Sequence, residues 1–171
     1  MKSGIYKKVE PSKVCLSNSM NIGNPSNLAR FFYLYGGIID KEGIVYKKPN
    51  IKEMRKRLYS AAISDEETVK AMKQAYQKHK IVIEPHGDVG VAALQKYLEE
   101  NKKDRKILSV CIETADPAKF PEIIKKELKI NPKVPESLKK LNKRNGRAEH
   151  LPNNYSKLKA YLLKRYGKWN G

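Results

Sequence analysis

The sequence predicts an α/β chain whose mostly parallel sheet is incomplete, and three observations carry that expectation. Short apolar runs alternate with stretches of helical periodicity, the pattern of strands joined by helices. The run at 107–112 is six apolar or small residues long, which suits a strand covered on both faces. Yet only Lys80-Ile81-Val82-Ile83 and 107–112 read clearly as strands, and two strands make a poor sheet for 171 residues.

The first strong element follows Asn24-Pro25-Ser26-Asn27. Asn24 suits a helix cap and Pro25 a first helical position. Leu28, Phe31, Phe32 and Tyr35 then form one apolar stripe, which Gly36-Gly37 ends. A second helix is expected from Asn50, with Ile51, Met54 and Leu58 on one face and Arg55-Lys56-Arg57 near its C-terminus. Residues 58–63 are compatible with the start of a short strand, on an ambiguous pattern. Ser64-Asp65-Glu66-Glu67 has capping-box spacing and opens a helix with Val69, Met72 and Tyr76 inward.

After the first strand, Glu84-Pro85-His86-Gly87 turns the chain into a helix with Val89, Ala93 and Tyr97 on one face. Residues 101–106 are a polar connection to the second strand. Glu113-Thr114-Ala115-Asp116-Pro117 follows it and leads to a helix through Leu128. A short helix is expected over 132–141. The last helix, over 153–166, is expected to turn Tyr155, Leu158, Leu162 and Tyr166 inward.

Composition narrows the function classes. Hydrophobic residues make up 40% and charged residues 32%, as in a folded, soluble chain of one domain. No apolar run approaches membrane-span length and no secretory signal is visible, so the cytoplasm is the expected location. Two distant cysteines, Cys15 and Cys111, form no CxxC, and Cys111 within its apolar run is expected to be a buried thiol. The three histidines and two cysteines show no metal-ligand spacing. The net charge is +18, and 139–171 hold ten Lys/Arg against one Glu. A basic helical tail with interleaved Tyr155, Tyr161, Tyr166 and Trp169 has the makings of a nucleic-acid binder. The excess is mostly lysine, however, the ordinary filler of a solvated surface, and nucleic acid is the disfavoured partner.

Ligands of open α/β sheets bind at the carboxyl ends of strands. Those ends are Glu84-Pro85-His86-Gly87 and Glu113-Thr114, and both feed helix N-termini, which favour anions. His86 is either a general base beside a ligand or a loop histidine bonded to backbone. No dinucleotide fingerprint, P-loop or nucleophile elbow is present.

At these loops the sequence resembles a known family. Residues Leu16-Ser17-Asn18-Ser19-Met20-Asn21-Ile22-Gly23-Asn24-Pro25-Ser26-Asn27 are similar to the "SxAMDxGNPSNFER" segment of threonine synthases. Asp65-Glu66-Glu67-Thr68 resembles their "DEET" helix start, and Glu84-Pro85-His86-Gly87-Asp88-Val89-Gly90 their "[DE]PHxAVG". Glu113-Thr114-Ala115-Asp116-Pro117-Ala118-Lys119-Phe120 resembles "xTAHPAKF". Val134-Pro135-Glu136-Ser137-Leu138 and Leu151-Pro152-Asn153-Asn154-Tyr155 fit the family's C-terminal segment. Four motifs in the family's order outweigh net charge, and the likeness covers essentially the whole chain.

The resemblance implies the C-terminal part of a pyridoxal-phosphate (PLP) enzyme of fold type II, the tryptophan synthase β-like fold. That family converts O-phospho-L-homoserine and water to L-threonine and phosphate. It implies that Thr114 contacts the pyridine nitrogen of PLP through its hydroxyl. It places Asn24, Ser26, Asn27 and His86 near substrate or cofactor without giving each a role. No catalytic residue is assigned, because the family's "FKD"-type lysine and "SGNFGN"-type phosphate cup do not occur here. The expectation is therefore a split or truncated threonine synthase, inactive alone, with a separate chain carrying the N-terminal half. The alternatives are a non-catalytic remnant and the basic nucleic-acid binder. Asp116 stands for the family's usual His, Asp88 for its Ala and Asn21 for its Asp. An inward carboxylate at Asp88 or Asp116 would repel a phosphorylated ligand.

Overall fold

The computed structural model describes residues 3–139 and 149–167. They fall into two compact units, Met1–Lys133 and Val134–Gly171. The boundary lies a few residues before the basic tail that the sequence sets apart. In the first unit the order is α1 (Leu28–Leu34), β1 (Ile38–Ile39), β2 (Val45–Lys47), α2 (Ile51–Arg57), α3 (Asp65–His79), α4 (Pro85–Glu100) and α5 (Pro121–Leu128). The second unit holds α6 (Glu136–Lys139) and α7 (Tyr155–Tyr166). The fold is thus mixed α/β, rich in helix, with a small sheet.

The core forms where α3 packs on α4 and α5. Ser64 and Glu67 make the expected capping box, each bonding the other's backbone N–H, so α3 starts where the sequence says. From that start the helical repeat carries Thr68, Ala71 and Met72 into the interior, where Met72 is fully buried. Ile124 of α5 is equally inaccessible, and Ala92 of α4 lies beside them in the buried set. A pair between Lys73 and Glu127 at 2.8 Å links α3 to α5 at the rim.

Two helix starts differ from expectation. Helix α1 begins at Leu28 with Asn27 at the N-cap, not at Pro25 after Asn24. Asn24 is occupied elsewhere: its Oδ1 accepts the Tyr6 hydroxyl, and its Nδ2 donates to the Lys41 carbonyl at 2.8 Å. Tertiary partners have outcompeted a local cap. Of the α1 stripe, Phe32 is buried and Phe31 is exposed. In the 113–128 region a 3₁₀ turn at Pro117–Lys119 comes first, and α5 starts only at Pro121, again with proline in the first turn. Helix α2 is capped by Asn50, which accepts the Glu53 N–H at 3.2 Å, as the sequence predicts.

The sheet is a single antiparallel pair among the described residues, β1 with β2. Its hairpin turn is built by Asp40, whose Oδ1 accepts the N–H groups of Glu42 and Ile44, and by Gly43 at φ 86°. The two expected strands do not enter a ladder. Lys80 is instead the left-handed C-cap of α3, at φ 56°, and residues 81–83 and 107–112 belong to no helix or strand among the described residues. The reason is that a strand needs a neighbour as well as an apolar sequence, and no described strand lies alongside. The second run is consequently open, with Leu108 91% and Ile112 80% exposed. Cys111 within it is exposed too, correcting the expected buried thiol.

In the second unit, Asn154 caps α7 by accepting the Lys157 N–H at 3.1 Å. The stripe expected to face inward, Tyr155, Leu158, Leu162 and Tyr166, is exposed, because no described residue covers it. Arg165 pairs with Glu149 and lies over the rings of Tyr161 and Tyr166. The predicted helix over 132–141 appears as α6, and residues 140 and 141 lie outside the described residues. No helix among the described residues is long and apolar enough to cross a membrane.

Candidate functional site

The residues of two predicted loops meet at the N-terminus of α4. Glu84 is the N-cap, and Pro85, which needs no donor, fills the first helical position. The Glu84 carboxylate turns back on the first turn and accepts the backbone N–H of Gly87 on Oε1 and of His86 on Oε2, both at 2.9 Å. Oε2 also meets His86 Nδ1. The Glu84 side chain is completely buried, and its three bonds compensate the loss of water.

His86 is buried as well and bonds on both ring nitrogens. Its Nε2 accepts the Ser19 backbone N–H at 3.1 Å. An accepting Nε2 carries no proton, so in this arrangement the imidazole is neutral with its proton on Nδ1, directed at Glu84. The ring lies 5.2 Å from that of Phe120, at a tilt of 54°. Of the two readings of His86, the backbone-bonded one describes its environment. Its bond reaches into the segment from Leu16 to Asn27, so two of the family-like motifs meet at this ring.

A third motif joins through Glu113, whose Oε1 accepts the Glu84 backbone N–H at 3.0 Å. Gly87 is required at this junction: a Cβ there would stand 2.6 Å from Ile83 Cγ2 and 3.4 Å from Glu113 Cγ. Thr114, next in sequence, is exposed, and its hydroxyl has no hydrogen-bond partner among the described residues. A free threonine hydroxyl can donate or accept, which is what a pyridine-nitrogen contact requires in either protonation state. The residue present at this position therefore fits that edge of PLP.

Asp88, which stands where the resembled motif has Ala, is the unusual group here. It is fully buried, and both carboxylate oxygens lack hydrogen-bond partners. Burial, reinforced by the charges of Glu113 and Glu84, pushes its carboxyl up to about 8. At neutral pH it keeps its proton and presents little negative charge to a ligand. Asp116 is engaged in turn chemistry, its Oδ1 accepting the Ala118 N–H at 2.8 Å. Asn21 accepts the Cys15 thiol at 2.9 Å.

Asn24 and Ser26 are not drawn into this junction. With Pro25, Ile39 and Lys41 they line a separate cavity of 160 Å³. Asn27 is exposed at the α1 N-cap. The sequence reading missed Glu84 and Glu113 as linking groups, although both directly follow apolar runs. A carboxylate one residue before a proline-started helix is the signal that identifies Glu84. No group of three or more His, Cys, Asp or Glu that could hold a metal occurs among the described residues.

Comparison with known proteins agrees with this architecture. The fold matches a solved, PLP-bound threonine synthase from Brucella melitensis with a TM-score of 0.75 at 21% identity, covering 94% of this chain and 36% of that one. The chain thus shares its fold with about a third of that threonine synthase. Residues 88–162 match the family model "Threonine synthase, C-terminal". The Haemophilus influenzae threonine synthase is 30% identical over 156 residues, 87% of this chain and 31% of that protein. The Saccharomyces cerevisiae threonine synthase is 29% identical over 175 residues, covering 83% and 34%. The chain is similar to these threonine synthases and spans about a third of their length.

Proposed function

We propose that this chain furnishes the C-terminal wall of a threonine synthase active site, which works when joined by the portion of the fold that carries the cofactor lysine. The reaction is the conversion of O-phospho-L-homoserine and water to L-threonine and phosphate. PLP, when bound, supplies the electron sink for that chemistry. Thr114 would offer its hydroxyl to the pyridine nitrogen as a neutral partner. Asp88, largely protonated at neutral pH, would add little repelling charge. The exposed run at 107–112 offers its unpaired backbone to a neighbouring strand of the other portion, and its apolar side chains are covered in the same event.

The observation that carries this reading is the Glu84–Glu113 bond, because it brings two family-like motifs together and leaves the Thr114 hydroxyl free at their junction. The test is phosphate release from O-phospho-L-homoserine by the chain mixed with a polypeptide carrying the N-terminal portion of a threonine synthase. Release is expected from the mixture, and Thr114→Val should lower it by about tenfold or more, the scale of one lost hydrogen bond to a reacting group. A mixture as inert as either component alone would count against the reading.

A further inference from the structure

We propose that Glu113 is a positioning residue, a carboxylate whose task is to fix Thr114 in place by tying the end of its segment to the start of α4. This inference rests on the reading of Thr114 as a cofactor contact and deepens it. The stretch before Thr114 makes no ladder bonds among the described residues, so its own backbone does little to hold it. The Glu113 side chain supplies the missing restraint in two ways. Its Oε1 accepts the Glu84 N–H at 3.0 Å, and its stem lies against the first turn of α4, within 3.4 Å of where a Gly87 Cβ would stand.

The acceptor is needed there on general grounds. The Glu84 N–H precedes the helix and has no intrahelical acceptor, so an orphan donor would result without Glu113. Two residues beyond Thr114 a local turn begins, in which Asp116 accepts the Ala118 N–H at 2.8 Å and the Lys119 N–H bonds the Asp116 carbonyl at 3.0 Å, bonds that stay within the segment. Of these bonds, the one to Glu113 reaches out of the segment to the start of α4. Neither aspartate nor alanine reaches as glutamate does, whereas glutamine keeps the accepting oxygen at the same distance.

The experiment is amide hydrogen exchange and methyl NMR on the full chain. Glu113→Ala should speed exchange at the Glu84 amide by about tenfold, as for loss of one charge-assisted bond, and should shift or broaden the Thr114 methyl signal. Glu113→Asp should behave like the alanine variant. Glu113→Gln should restore Glu84 protection to within about twofold and return the methyl signal, since acceptor and length are kept. Unchanged Glu84 exchange in Glu113→Ala, or failure of Glu113→Gln to rescue, overturns the proposal. If Glu113→Ala does not fold, the glutamine variant decides alone: a protected Glu84 amide supports the tether and an unprotected one refutes it. Thr114→Val should leave Glu84 exchange as it is. If that variant also leaves phosphate release by the two-portion mixture intact, the cofactor reading of Thr114 fails while the Glu113 tether stands.

Discussion

Ser19 donates its backbone N–H to His86 Nε2 at 3.1 Å, across 67 residues of chain. With Glu84 on Nδ1, that bond leaves His86 one arrangement in which both neighbours are satisfied. The imidazole is then a rigid strut between the Leu16–Asn27 segment and α4, not a free base.

The tautomer is the first prediction. Nitrogen-15 NMR of the imidazole should show a proton on Nδ1 and a bare Nε2 at neutral pH. His86→Ala should lower stability by about 2–3 kcal/mol in urea unfolding, because it orphans the Ser19 N–H and removes a Glu84 partner. A spectrum with the proton on Nε2 contradicts the arrangement.

Asp88 yields a pH prediction. Its folded value of about 8 stands above the ordinary 3.8, so between them the folded chain binds a proton that the unfolded chain has released. Stability from this group therefore falls as pH rises from about 4 to about 8, and levels off beyond. Asp88→Ala, the residue usual in the family, should remove that slope. It should be the more stable form at pH 8.5 by on the order of 3 kcal/mol, and the advantage should shrink toward pH 4. Parallel pH profiles for the parent and Asp88→Ala would contradict the buried, unpartnered carboxyl.

The run at 107–112 predicts association. Leu108 and Val110, 91% and 77% exposed, lie on an apolar segment with no ladder partner among the described residues. Such edges pair with other chains. Sedimentation should show the isolated chain self-associating at micromolar concentration. Leu108→Lys combined with Val110→Lys should shift it toward monomer while leaving helical content unchanged. A stable monomeric parent would count against an open edge.

The sequence made the helices of the core legible because their information is local. Ser64 and Glu67 specify the start of α3, and Pro85 and Asn50 do the same for α4 and α2. The segments at 80–83 and 107–112 show the opposite case. Their apolar character was visible, but a strand is defined by a partner that lies elsewhere, and no spacing within the segment supplies one. The β1–β2 hairpin passed unremarked because Ile38-Ile39 and Val45-Tyr46-Lys47 are short, although Asp40 and Gly43 between them are ordinary turn signals. At the junction, the loops at 84–87 and 113–114 were legible through motif order, and the structure brings them together. The roles of Glu84 and Glu113 were not, because a 29-residue separation hides their bond until the chain has folded.

The central claim is that this chain offers a wall to PLP while the capturing amine comes from elsewhere in the fold, and borohydride trapping tests it directly. Mixed with PLP and reduced, the chain alone should yield no pyridoxyl group at a defined lysine. With a polypeptide carrying the N-terminal portion of a threonine synthase added, one should appear, on that polypeptide. A stoichiometric pyridoxyl-lysine at a single position of this chain by itself would contradict the account.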